Sequence, residues 1–458
     1  MIKRSSVILV SIALLGGTLQ PTLAAGPVNG GSCAKAGSVQ GAVGHRFVCT
    51  KVGKKLLWRA TPVKPLAPMA APTPAATPAP AATSTPTPAP SSSPSPSATP
   101  TVAKVMTKIP LSLPVPQNGT ITFANAIDHI SEIPTVAWKR VQDTIAANSL
   151  ESIPTTIDIG PNTKADKDLI TAAVNREYTL FAGFQHFPTY GMLVSNAADE
   201  KWAEAQAPQT FSKMGIKGAF TRQDVINRIL QGNCEMNGTT AVNCSGGMAV
   251  DFRDGGSSDG FSFLSVETGA GDFWTSANRN AGPMTQVDHE LTHNYQFAQF
   301  INKPLLPGQN TKADQSHAFT PWWVSEAQAN GIGIAVFIDN VQDYVNVRNS
   351  TVTRYPGSRA KLPAFTAAGL KSFLSDSQET GPQNSNWPLA YTIGYAAMEA
   401  LIAIGGPQST LALYALGGNG ETWEEAFQHV YGISWDEGST ILGQILAAEY
   451  ASKPMRQS

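Results

Sequence analysis

Charge is scarce in this chain: 14% of residues are Asp, Glu, Lys or Arg, and the formal net charge is -1. Without a basic excess there is no electrostatic footprint for nucleic acid, and no nucleic-acid partner is expected. Histidine is scarcer, at 7 residues, and the 4 cysteines contain no C-x-x-C pair, which argues against a cysteine-ligated zinc site. Past the N-terminus no apolar run is read as reaching the roughly 20 residues of a bilayer span, so no span is expected in the mature chain.

What the N-terminus does have is an export signal. Lys3-Arg4 precede an apolar run from Val7 to Leu15, and small residues follow at Leu23-Ala24-Ala25. That order predicts a secretory signal peptide over 1–25, with a retained anchor as the competing reading, and an extracytoplasmic site for the rest. Cysteines in an exported chain predict disulfides. Cys33 with Cys49 and Cys234 with Cys244 are the local pairings; the first closes a loop of about 15 residues, worth about 3 kcal/mol in the chain-entropy model.

Composition then divides the chain. Residues 26–60 form a small cysteine-containing module, with alternation at His45-Arg46-Phe47-Val48 that suits a stapled hairpin. The module resembles a short one found in secreted actinobacterial proteins, on Gly31-Ser32-Cys33, Cys49 and Trp58. Attachment to a cell-envelope component and a plain N-terminal appendage are both open. Residues 61–108 are mostly Pro, Ala, Ser and Thr, a composition that cannot pack a core and favours an extended, disordered stalk. Residues 109–458 read as one large domain, with 109–200 either an integral lobe or a pro-segment.

Within that domain, helices are predicted at Ala137–Ala147, Ala165–Tyr178 and Ala197–Ala207. Strands are predicted at Thr155–Ile159, Gly191–Ser195, Gly247–Phe252 and Phe261–Thr268. Mostly helices follow, so the fold class is α+β. Asp251, Asp254 and Asp259 fall in a Gly/Ser-rich loop that reads as a turn rather than a calcium loop, because their spacing does not fit one.

The informative stretch is Asp288-His289-Glu290-Leu291-Thr292-His293-Asn294, an H-E-x-x-H pattern. Gly282-Pro283 opens a helix, Met284, Val287, Leu291, Tyr295 and Ala298 recur at steps of three and four as a buried stripe, and Asn302-Lys303-Pro304 ends it. His289 and His293, four apart, share a face off that stripe, as ligands lining a cleft would, and can hold one zinc ion with Glu290 beside them to take a proton from water. Zinc needs a third protein ligand. Gln299 stands where a third histidine of the metzincin pattern would be. Asp314 and His317 lie in a polar stretch that reads as a loop. Glu326 is better placed, because Thr320-Pro321 predicts a helix start and Trp322-Trp323 would seat that helix against the core. Asn330, one turn on, is placed to hydrogen-bond a ligand histidine.

These two stretches resemble the gluzincin metallopeptidases, with a thermolysin or aminopeptidase-N type of catalytic domain. The matching residues are His289–Gln296 and Pro321–Ala327. A third stretch, Ala390-Tyr391-Thr392-Ile393-Gly394-Tyr395, resembles the family's later helix. The resemblance implies a zincin-like domain, a small mixed sheet with an active-site helix and then a helical lobe over Leu411–Leu446. It implies Zn2+ held by His289, His293 and Glu326, Glu290 as general base, and a tyrosine steadying an oxyanion, Tyr391 the better candidate and Tyr395 next. The expected activity is hydrolysis of a peptide or protein substrate by metal-activated water. A zinc hydrolase of non-peptide substrates and a non-catalytic envelope protein on the same scaffold are the alternatives. Ala327 stands where the family often has Gly, the His293–Glu326 spacing is longer than in its best-known members, and the aminopeptidase Gly-Ala-Met-Glu-Asn signature is absent.

Overall fold

Alternation around His45–Val48 does build strands. In a computed structural model, β1 (Val39–Ala42), β2 (His45–Val52) and β3 (Lys55–Thr61) form an antiparallel sheet in that order. Cys49 opposes Trp58 across it and is buried and disulfide-bonded. The structure describes residues 32, 39–42, 45–52, 55–61, 106–213, 235–237, 240–242, 246–254, 257–266, 282–305, 309, 311–355, 360–376 and 386–455. The signal peptide, most of the stalk, and Cys33, Cys234 and Cys244 lie outside the described residues.

The chain divides into two units, Met1–Thr99 and Pro100–Ser458. The stalk was expected to run to residue 108, but Thr107 already belongs to the larger unit. Its N–H donates to Asn419 Oδ1 (2.6 Å) and its hydroxyl to Gln299 O (3.0 Å).

The larger unit begins with helix α1 (Ile133–Ala147), strand β4 (Thr155–Ile159), α2 (Lys167–Leu180), β5 (Tyr190–Asn196) and α3 (Glu200–Lys213). Strands β6 (Glu235–Asn237) and β7 (Thr240–Val242) pair separately, and β8 (Gly246–Asp254) and β9 (Ser257–Val266) form a hairpin. Helices follow: α4 (Gly282–Ala298), α5 (Lys312–Phe319), α6 (Val324–Phe337), α7 (Val341–Val352), α8 (Ala367–Ser375), α9 (Tyr395–Gly405), α10 (Pro407–Asn419), α11 (Trp423–Tyr431) and α12 (Trp435–Ser452). The sheet order is β4-β5-β9-β8, parallel across β4/β5 and β5/β9 and antiparallel at β8/β9. Strand β5 is buried along its whole length, as a central strand must be.

Three local expectations need correcting. Asp251, Asp254 and Asp259 sit on the paired strands of the β8/β9 hairpin, because the ladder runs on to Asp254↔Ser257. The polar stretch after α4 is not all loop: Thr311 and Asp314 cap each other reciprocally and start α5. Thr320 closes α5 rather than opening the next helix, and α6 starts four residues later at Val324. The cause is the tryptophan pair, since burying Trp322 on Phe373 (5.3 Å between rings) and bonding Trp323 Nε1 to Leu374 O (3.0 Å) fixes the intervening turn.

The stretch Trp387–Gly405 has the length and apolarity of a bilayer span, with mean hydropathy 1.3, contrary to the reading that no such run follows the signal. Its window is 83% buried inside the protein, where it is a core element packed on α1 and α6. Arg348 in α7, which shows no exposed surface, is neutralised there by Glu399 of α9 (2.6 Å) and by Glu449 of α12. A buried cation needs such partners, and this one ties three helices together.

Candidate metal centre

Helix α4 was expected to show one apolar stripe and one cleft face. Instead every residue from Val287 to Phe300 is buried, because α4 runs between α2, α6 and the β8/β9 side of the sheet. Helix α6 approaches it backbone to backbone. A Cβ on Gly333 would come within 2.7 Å of Thr285 O and 2.8 Å of His289 N, so only glycine allows this spacing. That approach delivers Glu326 to the histidines.

His289 Nε2 and His293 Nε2 are 3.2 Å apart, and Glu326 Oε2 lies 3.3 Å from the first and 3.4 Å from the second. All three residues are buried, and among the described residues they are the one group of three or more His, Cys, Asp or Glu able to share a metal ion. An ion with four tetrahedral bonds of about 2.0–2.1 Å sets ligand–ligand edges of about 3.3–3.4 Å, which the three separations match.

The far side of each imidazole fixes what faces the centre. His289 Nδ1 lies 3.0 Å from Asn330 Oδ1, as the sequence placed it. His293 Nδ1 lies 2.9 Å from Gln296 Oε1. The Gln296 amide cannot be reversed, because its Nε2 donates to Ser325 O (3.0 Å) and Gln328 Oε1 (2.8 Å) while Ser325 Oγ donates to its oxygen. Each Nδ1 therefore carries its proton outward, and each Nε2 turns a lone pair inward. Two lone pairs and a carboxylate oxygen converge on one point, and no fixed donor reaches Glu326 Oε2. Only a cation or a proton makes that arrangement favourable.

Electrostatics agree. Burial opposes charge on His293, but the Glu326 carboxylate, by charge and hydrogen bonding, with Glu290 and Gln296 behind it, lifts its pKa from 6.5 to about 9. Burial likewise raises the Glu326 carboxyl, yet His293 and then His289 outweigh it and hold it well below the usual range. Glu290 sits at the edge of the group, its Oε1 4.0 Å from His289 Nε2.

The two tyrosines separate. Tyr391 stacks on His289 with rings 6.0 Å apart at 15°, and its hydroxyl reaches Glu326. Burial first, then the Glu326 carboxylate, push this phenol well above its ordinary value. Tyr395 does not face the centre: its hydroxyl meets Tyr344 (3.3 Å), which donates to Glu399 (2.6 Å) in the Arg348 network. The segment Ala390–Gly394 is one turn of π-helix, which separates side chains that an ordinary helix would put one above the other on a single face. Gly394 seats that turn against Trp323 and Ala327 of the α6 side. Asp314 is spent on the α5 cap, and His317, its ring 5.9 Å from that of Phe297, is not among the ligand atoms that converge, so neither joins the group. Ser325 and Gln328, which hold Gln296, carry no motif that sequence could have flagged. No family model, curated protein or solved structure matches this chain.

Proposed function

We propose that the chain is an exported zinc-dependent peptidase with a zincin-like domain of the gluzincin kind. The observation that carries this reading is the convergence of His289 Nε2, His293 Nε2 and Glu326 Oε2, with both Nδ1 atoms anchored from behind. Two imidazoles and one carboxylate are a donor set that zinc takes in hydrolytic sites, where a fourth position stays open. Bound there, zinc would acidify water and polarise a carbonyl.

The chain's own residues then have distinct tasks. Glu290, buried beside the ligands, holds the proton taken from water and returns it to the leaving amine. Tyr391, already within reach of Glu326, offers its hydroxyl to the oxygen that gains charge. Its raised pKa keeps that hydroxyl protonated at neutral pH, as a donor must be. Asn330 and Gln296 keep the histidines in the ligating tautomer. The intact Glu290 favours chemistry over a bare scaffold, since metal binding does not require it.

The test is Glu290→Gln against wild type on an unbiased peptide library, with zinc content measured on both. Glu290→Gln is expected to keep one zinc and lose about 10²–10⁴ in rate. Undiminished cleavage by that variant, or a wild type that binds zinc and cleaves nothing, removes the proposal.

A further inference from the structure

A second cluster of oxygen atoms lies on α4, and the hydrolytic proposal does not use it. Asp288 and Thr292, one turn apart, and Tyr295 beyond them form a face about 100° round the helix from the histidines. Glu177 of α2 lies against that face. Thr292 Oγ1 contacts Glu177 Oε1 (2.7 Å) and Asp288 O (2.9 Å). Glu177 and Asp288 have no exposed surface at all. Glu177 Oε2, both carboxylate oxygens of Asp288 and the Tyr295 hydroxyl have no hydrogen-bond partner. Tyr295 is 1% exposed, its ring rests on Tyr178 (5.4 Å) and Phe181 (5.0 Å) of the α2 side, and its phenol feels the Glu177 charge.

Arg176 is the positive group that acts on Asp288, but it is engaged elsewhere. Its Nε donates to Val336 O (3.1 Å) and its NH2 to Gln142 Oε1 (2.6 Å). Unpartnered oxygens at this depth are rare and call for an explanation. Burial pushes both carboxyls well above their ordinary values, so a pair held by protons alone is the outcome the test must separate from a bound cation. One cation satisfies the free oxygens and the charge together. A donor set of oxygen alone selects a hard ion over zinc.

We propose that Glu177 and Asp288 hold a calcium- or magnesium-type cation, with Tyr295 beside it, clamping α2 to the helix that carries the histidines. This site stands apart from the peptidase reading and survives or fails without it.

The test uses the full chain, stripped of metal, reloaded with one equivalent of zinc and dialysed against Ca2+ or Mg2+ in separate arms. Elemental analysis should find one further equivalent in one arm. Melting temperature should rise by about 3–6 °C at a hundredfold excess over Kd and fall back with a calcium- or magnesium-directed chelator. Terbium in place of the ion should show tyrosine-sensitised emission. Asp288→Asn and Glu177→Gln, which keep shape, should each weaken binding by about 10–100-fold or more, whereas His293→Ala should lose zinc and keep the hard cation. Wild type that retains neither ion and melts unchanged overturns the site, a measurement needing no variant to fold. So does a cation held equally by wild type and both carboxyl variants.

Discussion

Replacing Asn330 with alanine removes the acceptor from His289 Nδ1, now 3.0 Å away, and the 3.5 Å contact to Tyr391 O. The imidazole then loses what fixes its tautomer and ring plane, while all three ligands remain. Loss of such an outer partner costs about 10–100-fold in metal affinity, or about 1.4–2.7 kcal/mol. The metal-free fold should lose less, about 0.5–1.5 kcal/mol for one hydrogen bond. Competition against a chromophoric zinc chelator at neutral pH reads the first quantity, and urea unfolding of the stripped protein reads the second. Asn330→Asp keeps an acceptor and should keep or tighten binding. If Asn330→Ala binds zinc as wild type does, or Asn330→Asp fails as badly as alanine, then the hydrogen bond does not orient His289 for a metal.

Two further outcomes follow from the same geometry. Tyr391→Phe should lower kcat about 10²–10³-fold at constant zinc content, while Tyr395→Phe should leave kcat alone and cost only stability; equal kinetic losses would contradict the separation of the two rings. The His293 pKa is raised in the folded, metal-free chain, so its charged contact with Glu326 stabilises that chain fully below about pH 6.5 and is lost as pH rises through about 9. Zinc must displace that proton between these limits, and its apparent affinity should rise about tenfold per pH unit there. Calorimetry in buffers of differing ionisation heat should count about one proton released at pH 7; none released would contradict the charge on His293.

The H-E-x-x-H helix was legible because its spacing and its start are local properties; α4 does start at Gly282, but it closes at Ala298 rather than at Asn302-Lys303-Pro304. Glu326 and Asn330 were legible through one motif and the next helical turn. What sequence misjudged was set by tertiary contact. Gly333 draws α6 onto α4 so closely that an expected open face is buried, and nothing near residue 333 announces this. The tryptophan pair displaced a helix start that Thr320-Pro321 proposed, and Thr311 with Asp314 formed a capping box inside a stretch read as loop. That box was visible as T-x-x-D. The π-turn at Ala390–Gly394 was not; beyond it Tyr395 turns to Tyr344 while Tyr391 stays on His289.

Zinc K-edge X-ray absorption on the zinc-loaded protein, with metal counted per chain, reads the His289–His293–Glu326 centre itself. One zinc with two imidazole nitrogens and one carboxylate oxygen at about 2.0–2.2 Å, lost in His293→Ala and kept in Glu290→Gln, is the predicted result. A chain that holds no zinc, or holds it equally well in His293→Ala, would show that these three residues are not a zinc site.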